Sequence, residues 1–76
     1  MTAPPHIVDL LRQGRWKEAH DLVQLDGSTQ AAWLHGILHL QERDLEDAEY
    51  WYGNANRNFR GRGTLEEELA LLEADL

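Results

Sequence analysis

Apolar residues recur along this chain at the three- and four-residue spacing of helices, and turn residues interrupt them at regular intervals. Ile7, Leu10 and Leu11 follow Pro4-Pro5, a pair that can open a helix because the N–H that proline lacks has no partner in a first turn. Gln13-Gly14 predicts the stop. Trp16, Ala19, Leu22 and Val23, with Leu25 at the edge, carry a second helix to the turn cluster Asp26-Gly27-Ser28. Ser28 or Thr29 can cap the next helix. There, from about Gln30 to Arg43, Trp33, Ile37 and Leu40 form a stripe with Leu34 and Leu38 beside it. Asp44, with Asp47 three residues on, has the form of an N-cap and its capping-box acid. The fourth helix then runs from about Leu45 to Asn56. Asn58 to Gly63 reads as an irregular loop. Thr64 and Glu67 form a capping box for a last helix, whose Leu65, Leu69, Leu72 and Leu76 share a face. Glu66, Glu67, Glu68, Glu73 and Asp75 are assigned to its other face. No segment alternates with the period of a strand.

The expected fold is therefore all-α: five short helices in a single domain over residues 1–76. Residues 4–25 make a first hairpin, 29–57 a second, 58–63 a loop and 64–76 a closing amphipathic helix. Short connections force neighbouring helices antiparallel. Sliding the chain by 29 residues sets His6 on His35, Leu11 on Leu40, Trp16 on Leu45 and Ala19 on Ala48, as an internal repeat would. One hairpin cannot bury its apolar face alone, whereas two stacked hairpins and a closing helix can.

Composition narrows the function classes. The 76 residues hold 14 acids against 7 lysines and arginines, for a net charge of −7, and no cysteine. A disulfide framework, a zinc ribbon and a thiol nucleophile are thereby excluded. The apolar runs are too short to span a membrane, and the first residues lack the basic and long apolar regions of a signal peptide, so a cytoplasmic protein is expected. The acidic excess repels phosphate, and nucleic acid is not an expected partner. Arg57, Arg60 and Arg62 around Phe59 are the exception in kind. They are expected to offset the end of the fourth helix and the nearby Glu66, Glu67 and Glu68.

A family resemblance enters with the second hairpin. Gly36 is followed twelve residues later by Ala48, then by Tyr52 and Ala55, a spacing that resembles tetratricopeptide repeats. The run Ala48-Glu49-Tyr50-Trp51-Tyr52-Gly53-Asn54-Ala55 is similar to the Sel1-like variant, with its Ala-x-x-Trp-Tyr-x-x-Ala. Over roughly residues 16 to 56 the chain also resembles small bacterial proteins bearing His-x-x-x-His-x-x-Glu-x-Asp-x-x-(Asn/Asp)-Ala-x-Tyr-Trp-Tyr, a group that implies a fold and no particular activity. The resemblance implies that Gly36, Ala48, Trp51, Tyr52 and Ala55 pack the second hairpin. It also implies a non-catalytic protein-interaction module whose binding face carries Gln30, Trp33, Ile37 and Gln41; the competing expectation is that Trp33 and Ile37 pack against the first hairpin or the last helix. His35 and His39 stand where the repeat usually has leucine and tyrosine.

Those histidines are the strongest candidate chemistry. Four residues apart, they project from one helix face, and Glu42 continues the stripe. Two imidazoles so spaced can share a metal ion, with His20 or Glu49 from a neighbouring helix completing the set. The competing expectation, favoured by how buried polar groups are usually satisfied, is a pair of hydrogen-bonded core histidines beside Tyr50, Trp51 or Tyr52. No nucleophile accompanies them: Thr2 aside, the aliphatic hydroxyls Ser28, Thr29 and Thr64 sit where caps belong. A non-enzyme without a cofactor is expected. The leading expectation is thus a protein-interaction module, its partner another protein or a second copy exchanging the last helix about the 58–63 loop. Metal binding or sensing through His20, His35, His39 and Glu42 is the alternative. An acidic decoy that mimics phosphates is a third.

Overall fold

A computed structural model describes residues 4–76. Five helices are present among them: α1 (Pro4–Arg12), α2 (Trp16–Val23), α3 (Thr29–Gln41), α4 (Leu45–Asn54) and α5 (Leu65–Asp75). The described residues contain no strand, and none of the helices is long and apolar enough to cross a membrane. The fold is all-α, with dimensions of 31 × 21 × 20 Å.

Residues with positive φ end three of the helices. Gly14 (φ 78°), Arg43 (φ 62°) and Asn56 (φ 58°) turn the chain after α1, α3 and α4. Each lets the next N–H reach back to a carbonyl five residues earlier: Arg15 to Leu10 at 3.0 Å, Asp44 to His39 at 2.8 Å, Arg57 to Tyr52 at 2.9 Å. These turns stop α3 and α4 two residues short of their expected ends. The helix starts divide. Ser28 Oγ accepts from the Ala31 N–H at 3.1 Å, and Thr64 and Glu67 form the full reciprocal box at 3.1 and 2.8 Å. Asp44 does not cap α4 with its side chain. Its carboxylate turns instead toward His39 of α3.

α3 is the hub and packs against each of the other four helices. Trp33, Leu34, His35, Gly36, Ile37 and Leu38 are consecutive and all buried. A helix covered on every side has no solvent face, so the single stripe expected for α3 is replaced by apolar residues all round. Gly36 sets its distance from α4. A methyl group there would lie 2.5 Å from Tyr52 Cδ1 and 3.2 Å from the Ala48 carbonyl oxygen, so the two backbones come closer than a β-carbon permits.

α5 folds back over α3 and α1. Its buried face holds Leu69, Leu72 and, between them in space, Glu68, which is only 3% exposed. Leu65 and Leu76, the ends of the expected leucine stripe, are exposed. Glu68 accepts from Tyr52 Oη at 2.7 Å, Trp33 Nε1 at 3.3 Å and the Gly63 N–H at 3.1 Å. A carboxylate expected to face solvent is thus the polar centre of the α5 contact, tolerated there because each oxygen meets a donor. Tyr52 responds: burial first, and Glu68 second, push its phenol well above the ordinary range. On the outside, Arg12 of α1 pairs with Glu66 at 2.9 Å and with Glu73, which holds its guanidinium above its usual pKa.

This placement of α5 corrects the expected partner-binding face. Trp33 is 4% exposed beneath α5 and Ile37 is fully buried; Gln30 donates to Asp75 at 3.5 Å, and only Gln41 is exposed among the four. The loop arginines do not pair with the acids of α5. Among the described residues, Arg57, Arg60 and Arg62 have no carboxylate within ion-pairing distance. Arg57 lies over the Trp33 ring at 3.7 Å and Arg62 over Phe59 at 4.0 Å.

Candidate metal centre

Three imidazoles converge where α2 meets α3. His20 comes from α2, while His35 and His39 stand one turn apart on α3. One ring nitrogen of each lies within 4.8 Å of the other two. His20 and His35 meet most closely, Nε2 to Nε2 at 3.1 Å. The rings of His35 and His39 are nearly parallel, 5.0 Å apart, and His20 stands edge-on to both at 4.7 and 5.2 Å.

Aromatic residues fix this arrangement. Trp16, four residues before His20 and so on the same helix face, stacks on it at 4.7 Å and 11°. Trp16 is itself anchored by Nε1 donating to the Leu38 carbonyl at 2.8 Å. Trp51 of α4 stacks on His35 at 3.9 Å and 11°. The outer ring nitrogens have partners as well. Gln24, four residues after His20, sits 2.9 Å from its Nδ1, and Asp44 Oδ2 lies 3.6 Å from His39 Nδ1. Asp44 faces His39 Nδ1 and favours the tautomer that leaves Nε2 free for a metal. The Gln24 amide nitrogen instead donates to His20 Nδ1 and sets the His20 proton on Nε2, so a metal at that nitrogen requires the Gln24 amide to turn its oxygen toward the ring.

Electrostatics hold two of the three rings neutral. Burial first, and then charge on His20 and His39, push His35 down to about 4. His20 is lowered by burial and by His39, against a smaller opposing pull from Asp21. Neutral imidazole is the metal-ligating form, so proton competition at these nitrogens is weak near pH 7. A tetrahedral ion bound at about 2.0–2.1 Å would hold its ligand nitrogens about 3.3–3.4 Å apart. The 3.1 Å pair already meets that spacing to within a few tenths of an ångström, and the third nitrogen, within 4.8 Å of the other two, needs to move in by at most about 1.5 Å. Without an ion, the short contact is one N–H···N hydrogen bond, with one ring donating and the other accepting.

The expected ligand set is therefore brought together in part. His20, His35 and His39 meet. Glu42 stands exposed at the C-cap of α3, and it and Glu49 add no ligand atom to the cluster. Glu42 is replaced near His39 by Asp44, and Asp44, Asp47 and His39 form a second, more exposed group within 4.8 Å. There the hydrogen bond and charge of Asp44 raise the Asp47 carboxyl. Trp16, Gln24 and Asp44 are not among the expected ligands, yet the four-residue steps Trp16–His20–Gln24 carry that signal in the sequence. The chain matches no family model, no curated protein and no solved structure, and the role of the centre is argued from its own geometry.

Proposed function

We infer that the protein is a non-catalytic binder of a divalent transition-metal ion, held by His20, His35 and His39. The observation that carries this reading is the convergence of three imidazole nitrogens within 4.8 Å, two of them on rings biased toward the neutral form. Borderline-soft nitrogen donors of this kind suit zinc, nickel, copper or ferrous iron and not magnesium or calcium. Three protein ligands leave a position for water or an exchangeable ligand. The test is elemental analysis of purified protein together with thermal melts in zinc, nickel or ferrous iron. One equivalent of metal and a higher Tm are expected. A ligand at a hundred times its Kd stabilises by about 2.7 kcal/mol, so a rise of about 10–20 °C should follow for a chain of this size. His35→Gln and His39→Gln should each abolish the rise, whereas Glu42→Gln should keep it. Absence of bound metal together with unmoved melts would dismiss the reading.

The interaction-module reading, with the helical-repeat arrangement that motivates it, is kept for one observation. α5 lies on the face carrying Trp33 and is joined to α4 by a ten-residue connection, 55–64, that could let the α5 of a second copy take its place. Sedimentation at increasing concentration separates the two arrangements, since exchange requires a dimer and a monomer at all concentrations rules it out.

A further inference from the structure

Away from the histidines, the α4–α5 loop and the start of α5 enclose a cleft of about 400 Å³ lined by Arg57, Asn58, Gly61, Arg62, Glu67 and Glu68, among others. Its guanidiniums are positioned by aromatic rings and not by acids. Arg57 lies over Trp33, and no side-chain hydrogen bond engages its guanidinium among the described residues. Arg62 lies on Phe59 and commits only Nη1, to the Phe59 carbonyl at 2.8 Å. Asn58 accepts from the Arg60 N–H through Oδ1 at 3.2 Å, which leaves its amide N–H₂ as a further donor. The amide lies against Gly61, where a methyl group would come within 2.9 Å of Asn58 Nδ2 and displace it.

The two carboxylates of the lining balance the two arginines in charge but are already engaged. Glu68 accepts from Trp33, Tyr52 and Gly63, and Glu67 accepts from the Thr64 N–H at 2.8 Å. Unused hydrogen-bonding capacity in the cleft is therefore mostly donor capacity, in a protein that carries a net charge of −7. A donor-rich pocket is matched by a ligand that brings acceptor oxygens, and the planar guanidinium fork fits the two oxygens of an oxyanion. We propose that this cleft is a binding site for a small oxyanion, a carboxylate or phosphate group, held by Arg57 and Arg62 with Asn58. The balanced lining makes it a site for a compact anion and not for a polyanion such as nucleic acid. The site is independent of the histidine centre.

The test is a ¹H–¹⁵N NMR titration of the full chain at pH 7 with sodium acetate in one arm and sodium phosphate in the other. Ionic strength is held constant with sodium chloride. Saturable shifts are expected at Gly61, Gly63, the Asn58 side-chain amide and the Arg57 and Arg62 Nε–H signals. Acetate alone, phosphate alone, or both producing them identifies the head group. Arg57→Gln and Arg62→Gln should each weaken binding at least about tenfold, the effect of one charge-assisted contact. Arg60→Gln, outside the cleft lining, should not. Non-saturating shifts in both arms, equal binding by the Arg57 and Arg62 variants, or equal weakening by Arg60→Gln would overturn the proposal. A variant whose spectrum shows lost folding is replaced by the other, so that the assignment stands or falls on a folded protein.

Discussion

Replacing Gly36 by alanine sets two effects of opposite sign against each other. In an open helix the substitution stabilises, because alanine is about 1 kcal/mol better than glycine in a helix interior. At position 36 the new methyl group would lie 2.5 Å from Tyr52 Cδ1 and 2.8 Å from Cε1, more than 1 Å inside the ordinary contact distance. Tyr52 cannot swing aside, since it is fully buried and its hydroxyl donates to Glu68 at 2.7 Å. Relief requires moving α4 away from α3 or breaking that bond. Overpacking costs about 1–3 kcal/mol, and losing a buried hydrogen bond to a charged group costs about 1.5–3 kcal/mol. Set against the propensity gain, the clash wins by about 1–2 kcal/mol by either route. The melting midpoint should fall by about 4–16 °C, at 4–8 °C per kcal/mol for a domain of this size. Gly53, in α4, is the internal control: it is exposed, a methyl group there meets nothing within 4 Å, and Gly53→Ala should be neutral or stabilising by up to about 1 kcal/mol. Circular-dichroism melts of the two variants side by side decide the matter. A Gly36→Ala protein as stable as the parent would refute the close approach of α3 to α4.

Metal-free protein should lose stability on mild acidification. The folded His35 pKa is near 4 against about 6.5 unfolded, so below pH 6.5 the unfolded chain takes up a proton that the folded one refuses. That contribution is complete above pH 6.5 and is lost as pH falls toward 4, amounting to at most about 3 kcal/mol, and His20 adds to it in the same direction. Urea denaturation at pH 7, 6 and 5 reads it, and a stability flat over that range counts against the buried histidines. Glu68→Gln should cost about 2–4 kcal/mol in the same assay, because an amide keeps the shape but cannot accept from Trp33, Tyr52 and Gly63 at once. A loss below about 0.5 kcal/mol, typical of a surface position, would refute its buried role. Arg43→Gly should stabilise by about 0.5–1 kcal/mol by relieving a positive φ of 62°. An unchanged urea midpoint would show that Arg43 is not strained there.

Much of the helix arrangement is legible in the sequence because it rests on local signals: the Ser28 cap, the Thr64 and Glu67 box and the Gly14 stop each act within a few residues. What is not legible depends on which chemistry faces inward. Position 68 follows Leu65 by three and precedes Leu72 by four, so its spacing places it on the buried face. Its charge argues for solvent, and only the distant donors Trp33 and Tyr52 reverse that judgement. Asp44 fails as a cap for the opposite reason, since the local motif is sound but a tertiary neighbour, His39, takes the carboxylate. At the candidate site, the pairing of His35 with His39 follows from periodicity. The arrival of His20 depends on how α2 lies on α3, and Glu42 misses the cluster because α3 ends before it.

The α5 cover over Trp33 also has a consequence in time. During synthesis α3 and α4 are complete before the residues that shield them exist. At about 5–20 residues per second, the stretch from Ala55 to Leu72 takes roughly 1–3 s to add. For that interval each nascent chain carries Trp33 and the donors of Trp33 and Tyr52 without Glu68 to receive them. The face that is closed in the finished fold therefore closes last, and docking of α5 is the step that completes the burial of Trp33.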